Sequence, residues 1–103
     1  MTDMMFHGVE IPTDRIADLC RRHRIRRLAL FGSILRDDFG PDSDVDVLVE
    51  FEPGATPGFG FVGIQEELAE ILGRKVDLNT PGFLSKYFRD EVMREAQALY
   101  VAA

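Results

Sequence analysis

The sequence predicts an α/β domain of two layers, with a small mixed β-sheet and helices packed mainly on one face. Three observations predict it. Apolar residues recur at helical spacing in three stretches, one through Ile16, one through Ile64 and one through Phe88. Short runs of strand character separate them, at 28–31, 44–51 and 75–79. Helical and extended patterns also interleave along the chain, the order that builds a sheet through crossovers. With 103 residues, 46% of them apolar and 29% charged, the expectation is one domain over 1–103 with a modest core.

Residues 1–10 show no sustained period and read as a loose start or a short extended lead-in. Pro12-Thr13-Asp14 begins a helix, on which Ile16, Leu19, Cys20 and His23 follow at i, i+3, i+4 and i+7. The apolar run Leu28-Ala29-Leu30-Phe31 is a buried strand closed by Gly32-Ser33, and one or two helical turns are expected from Ser33 to about Asp38 before Gly40-Pro41 breaks them. Residues 44–51 alternate, placing Val45, Val47, Val49 and Phe51 on one face and Asp44, Asp46, Leu48 and Glu50 on the other. Residues 53–60 are rich in Gly and Pro and read as a flexible connection. The helical period returns from Phe61 through Ile64, Leu68, Ile71 and Leu72, with Gly73 as the stop. Residues 75–79 form a short strand, and Pro81-Gly82 leads into a last helix whose stripe is Leu84, Phe88, Val92, Ala96 and Leu99.

The chemistry concentrates in the stretch 28–51. Gly32 lets a bound group approach the main chain, and Ser33 offers a hydroxyl and a helix cap, so the strand end suits an anion. Asp44 and Asp46 point the same way, with Cα atoms about 6.6 Å apart. Two carboxylates about 4 Å apart repel by roughly 4 kcal/mol at an effective dielectric of 20, which calls for a compensating cation. Oxygen-only ligands favour Mg²⁺ or Mn²⁺ over zinc.

Gly32-Ser33, followed after ten residues by Asp44-Val45-Asp46, resembles the signature of the polymerase-beta-like nucleotidyltransferase superfamily. The finer match is Gly-Ser-x-x-Arg at 32–36 with Pro-Asp-Ser-Asp-x-Asp-x-x-Val-Glu-Phe at 41–51. It is similar to the minimal nucleotidyltransferase branch, small partners of HEPN-domain proteins in prokaryotic toxin–antitoxin pairs. The resemblance implies a third carboxylate from the strand after the intervening helix, where Val76-Asp77-Leu78 stands. Asp44 and Asp46 would hold two Mg²⁺ or Mn²⁺ ions, and Asp77 the catalytic one while drawing the proton from the attacking hydroxyl. Gly32 and Ser33 would cradle the β- and γ-phosphates of ATP. Arg36 is a phosphate or carboxylate partner, or else part of an ordinary helix salt bridge. Arg89 falls on a recurrent basic position of the family's last helix, although a solvent-facing charge is the plainer reading. Asp37 and Ile34 depart from the small and polar residues that relatives carry there.

The implied function is transfer of AMP from ATP onto a hydroxyl, a tyrosine, of a partner HEPN toxin in a hetero-oligomer. Two alternatives stand beside it: an antitoxin that neutralises by binding alone, and a transferase acting on a small molecule, whose relatives carry a further acceptor-binding domain. Composition narrows the setting. A single cysteine, Cys20, suits a reducing cytoplasm, and no apolar run approaches the ~18 residues of a membrane span. No signal peptide is expected. A net charge of −6 argues against general nucleic-acid binding. Residues 21–27 nevertheless hold five arginines, which either favour the negative end of the first helix or form a docking patch.

Overall fold

The computed structural model describes residues 4–55, 58 and 60–102. Strand β1 (Met4–Phe6) pairs antiparallel with β2 (Val9–Ile11) around His7-Gly8. Both turn residues take positive φ, 49° and 82°, the backbone of a two-residue loop whose twist matches its strands. Of the two readings of this segment, a loose start or a short extended lead-in, the extended one holds over its described residues, as a hairpin. It anchors to the rest through Val9 and Ile11, both buried. Strands of three residues are too short to register as a period, and only Gly8 marked the turn.

Helix α1 (Thr13–Arg22) buries Ile16, Leu19 and Cys20, as the spacing predicts, and His23 closes it as the C-cap with its N–H donating to the Leu19 carbonyl at 3.1 Å. Strand β3 (Ile25–Phe31) starts three residues earlier than the apolar run suggests. Its arginines explain the extension: Arg26 and Arg27 donate to Glu50 at 2.9 and 3.2 Å from the neighbouring strand, β4 (Val45–Phe51). Arg22 bonds Asp18 on its own helix and Glu67 on the next, and His23 lies 3.4 Å from Glu67. The basic stretch is thus divided among a helix end, a turn and a strand. Only Arg21 and Arg22 occupy the last turn of α1.

Between β3 and β4 the predicted helical turns shrink to a single 3-10 turn, Gly32–Leu35. Phe31 holds the cap position, and Ser33 lies inside the turn without a capping hydrogen bond, contrary to expectation. Ile34 is fully buried, which gives its departure from a polar residue a packing reason. Helix α2 (Gly60–Leu72) buries Ile64, Leu68, Ile71 and Leu72. It stops where Gly73 turns to φ 66° and donates to the Ala69 carbonyl at 2.9 Å. Residues 56, 57 and 59 of the predicted flexible connection lie outside the described residues.

Strand β5 (Val76–Asn79) runs parallel to β4. The predicted last helix is then corrected. The chain makes a 3-10 turn (Pro81–Phe83), a short helix α3 (Arg89–Glu95) and a strand β6 (Gln97–Val101) antiparallel to β3. Ala96 leaves the helix at ψ 134°. Without β6, the outer edge of β3 would present unpaired backbone groups, and Leu99-Tyr100-Val101 has the side chains a strand favours. The helical stripe through Leu99 was an accident of spacing that this pairing overrides.

The sheet order is β5-β4-β3-β6. One face carries Leu28, Leu30, Val45, Val47, Val49, Val76 and Leu78 against α1 and α2, forming the main core. The other face is covered lightly: Ala29, Leu48 and Leu84 are buried together, with Val92, Met93 and Ala96 against them. The predicted architecture, a small mixed sheet with its helices mainly on one face, is the one observed. The lightly covered face is the one onto which Asp46 and Asp77 project, since each alternates with buried residues of the main core.

Candidate active site

Asp46 sits within β4, flanked by Val45 and Val47 in the core, and its strand partners are Phe31 on one side and Asp77 on the other. In a parallel pair, residues in register put their side chains on the same face, so the Asp46 and Asp77 carboxylates emerge as neighbours. Asp44 stands just before the strand, half-exposed. From sequence, Asp44 and Asp46 share one face and Asp77 is added by the resemblance; the register sets Asp77 beside Asp46, and Asp44 is near enough to act on the Asp46 carboxyl. Asp46 is half-buried and Asp77 exposed, so the pair is sheltered at one member and open at the other.

Burial first, then the charges of Asp77 and Asp44, push the Asp46 carboxyl up from 3.8 to about 6, while Arg36 pulls in the opposite direction. Negative charge here is therefore under-compensated by the protein. Among the described residues, no group of three or more His, Cys, Asp or Glu side chains is gathered closely enough to hold a metal ion by itself. Oxygen donors that crowd one another without forming a closed cage fit a Mg²⁺ or Mn²⁺ site whose remaining ligands come from substrate phosphates and water.

Gly32 closes over Asp46 from the end of β3. Its φ is +77°, and a Cβ added there would overlap the Asp46 carboxylate. Two separate constraints therefore demand glycine: a left-handed backbone and a close approach. Ser33 is half-exposed, and its hydroxyl has no hydrogen bond among the described residues. Arg36 is exposed, 4.0 Å from Glu95 and near enough to Asp46 to act on its proton affinity. The ion pair with Glu95 is the ordinary salt bridge among the roles open to it from sequence, and it leaves the guanidinium exposed. Gly32, Leu35, Arg36 and Glu95 line a cavity of about 320 Å³.

Several contributors escaped the sequence reading. Glu95 belongs to α3, whose approach to the Gly32 turn depends on tertiary packing. Gln65 Oε1 accepts the Leu78 N–H at 3.0 Å, satisfying a backbone group on the edge strand that carries Asp77. Arg74 gathers three carbonyls of the turn before Asp44. Arg89, read as solvent-facing, is half-buried and donates to the Leu84 carbonyl at 3.0 Å, bracing the segment that covers Leu48. No short-range pattern marks any of these, because each partner lies on a different element or turn.

Comparison with known proteins places this arrangement. The family model for the nucleotidyltransferase domain matches residues 15–99. A protein adenylyltransferase of Methanocaldococcus jannaschii is 33% identical over 82 residues, covering 80% of this chain and 87% of the relative. A minimal nucleotidyltransferase of solved structure superposes with a TM-score of 0.68 at 36% identity, over 82% of this chain and 85% of its own. The fold is also shared with a solved complex of the tri-AMPylated HEPN toxin of Shewanella oneidensis with an MNT antitoxin, at a TM-score of 0.62 and 21% identity, over 87% of this chain and 70% of that one. With the family model spanning most of its length and the glycine-closed carboxylate pair on its sheet, the chain belongs to the nucleotidyltransferase domain family and is an enzyme of the minimal nucleotidyltransferase, protein adenylyltransferase type.

Proposed function

We propose that this protein is the antitoxin of a HEPN/MNT toxin–antitoxin pair, acting in the cytoplasm as a single domain that transfers AMP from ATP onto a tyrosine hydroxyl of its toxin. The observation that carries the reading is the Asp46–Asp77 register across β4 and β5, with Gly32 closed over Asp46. The relative named for protein adenylylation and the fold shared with a toxin–antitoxin complex support the choice of acceptor class.

In this reading Asp44, Asp46 and Asp77 hold the divalent ions. When bound, the ions would offset charge on the α-phosphoryl group and on the departing pyrophosphate. The protein's own residues do the rest. The Gly32 turn presents its main chain to the β- and γ-phosphates, and the Ser33 hydroxyl donates to them. Arg36 offsets phosphate charge from across the cavity. Asp77, the exposed carboxylate, receives the proton as the acceptor oxygen attacks the α-phosphorus. The bond from that phosphorus to the β-bridging oxygen breaks, and pyrophosphate leaves.

Incubation with ATP, Mg²⁺ and the cognate HEPN toxin is expected to add adenylate mass to a toxin tyrosine, and Asp46→Asn is expected to abolish the addition. The toxin should stay inactive after the antitoxin is removed. Full recovery of toxin activity on separation, with no mass added by the wild type, would refute transfer and leave neutralisation by binding.

A further inference from the structure

Arg74 lies between α2 and β5 and touches none of the residues assigned to ATP. Its Nη2 nonetheless donates to three carbonyls, those of Gly40, Pro41 and Ser43, at 2.9, 3.2 and 2.7 Å. Its guanidinium also rests over the Phe39 ring, 4.7 Å from the centroid, and Phe39 is buried. These partners lie within one stretch, 39–43, that leads directly into Asp44. The stretch is tightened from within, since Ser43 Oγ accepts the Gly40 N–H at 3.0 Å and the Ser43 N–H donates to the Gly40 carbonyl at 3.1 Å.

The bonds fall on both sides of Asp44. Ser43, immediately before it, is held by Arg74, and the Val45 N–H, immediately after it, donates to the Lys75 carbonyl at 2.9 Å. Consecutive residues 74 and 75 therefore fix the backbone on either side of Asp44. The same short segment continues through Val76 into Asp77, whose strand partner is Asp46. One run of four residues thus connects all three carboxylates.

We propose that Arg74 is a positioning residue that sets the placement of Asp44 relative to Asp46 and Asp77, and with it the affinity for the divalent ion. The inference rests on reading Asp44 as a ligand in the transfer site. A guanidinium ringed by carbonyl oxygens and lying on a buried ring leaves little freedom to the turn it holds, and Asp44 inherits that restriction through one peptide bond. Groups that orient ligands without touching the ion typically change metal affinity or activity by about 10–100-fold when removed.

The test uses the full chain with Mn²⁺ and a non-hydrolysable ATP analogue, counting free Mn²⁺ by electron paramagnetic resonance and checking folding by circular dichroism. Arg74→Ala is expected to weaken Mn²⁺ binding by about tenfold or more. Arg74→Lys should fall between it and the wild type, because an ammonium has three donors for the carbonyls but no plane to lie on Phe39. Asp44→Asn is the control for the underlying reading and should weaken Mn²⁺ binding most. A folded Arg74→Ala with wild-type Mn²⁺ affinity, alongside an impaired Asp44→Asn, would overturn the positioning role alone. If Arg74→Ala does not fold, Arg74→Lys decides: wild-type affinity overturns the proposal and an intermediate loss sustains it. Wild-type affinity in Asp44→Asn would instead overturn the reading of Asp44.

Discussion

Gly32 and Asp46 are packed so closely that the turn after β3 has no room for a single methyl group above the carboxylate. Gly32→Ala therefore meets two penalties, a left-handed backbone worth about 1–2 kcal/mol and displacement of the Asp46 side chain. The expected outcome is a folded, less stable protein with transfer largely lost. Gly54→Ala is the matched comparison, since Gly54 also has positive φ, 83°, but open space around it. It should lower stability by a similar backbone cost and leave transfer intact. Urea unfolding and adenylate incorporation measured on both variants check the pair.

Asp46 imposes a cost on the metal-free fold. Its carboxyl is raised to about 6, so the native state holds its proton more tightly than the unfolded chain does. The stability linked to Asp46 is then complete below the ordinary value of 3.8 and is lost as pH rises through about 6. Asn mimics the protonated form and has no charge to bury. In EDTA, Asp46→Asn should match the wild type at acid pH and exceed it in unfolding midpoint above pH 6, while being inactive. Added Mg²⁺ with an ATP analogue should raise the wild type and not the variant.

Glu67 behaves in the opposite sense. Its hydrogen bond from Arg22, with a smaller one from His23, holds its carboxyl below the usual 4.5. Its contribution is present above that value and disappears as pH falls through the lowered one. Glu67→Gln should unfold earlier than the wild type at neutral pH, by a modest margin because the pair is partly exposed, and the two should converge in acid. The margin should also shrink with salt. Denaturation series at two pH values and two ionic strengths measure both effects.

Cys20 is fully buried in α1, and burial pushes its thiol up to about 12 against the opposing charge of Arg21. Native protein should therefore resist iodoacetamide at pH 8 and react only after unfolding, as followed by intact mass.

The sequence made legible whatever a short period or a spaced motif encodes. Val45, Val47 and Val49 alternate with Asp44 and Asp46, so β4 and its acidic face could be read directly, and Ile64, Leu68 and Ile71 announced α2 in the same way. Asp77 was harder, because one acid in a four-residue strand has no pattern of its own and its meaning came from the family resemblance. What failed were features decided by distant partners. β6 looked helical because Phe88, Val92, Ala96 and Leu99 share a helical face, but the unpaired edge of β3 claimed its last residues. β3 extends back to Ile25 because Glu50 neutralises Arg26 and Arg27, two residues that read locally as the tail of a helix. Arg74 and Glu95 gave no local sign at all.

The parallel sense of the β4–β5 pair has a kinetic corollary. Antiparallel β3 and β4 are joined by residues 32–44, whereas β5 returns to β4 only after α2 has crossed over the sheet. Like-charge crowding between Asp46 and Asp77 therefore arises only when β5 docks, a non-local step. Refolding after a denaturant jump should accelerate when ionic strength is raised, and less so in Asp77→Asn, where the arriving strand brings no charge. Equal salt dependence in the two proteins would mean that the carboxylates meet only after the rate-limiting barrier has been crossed.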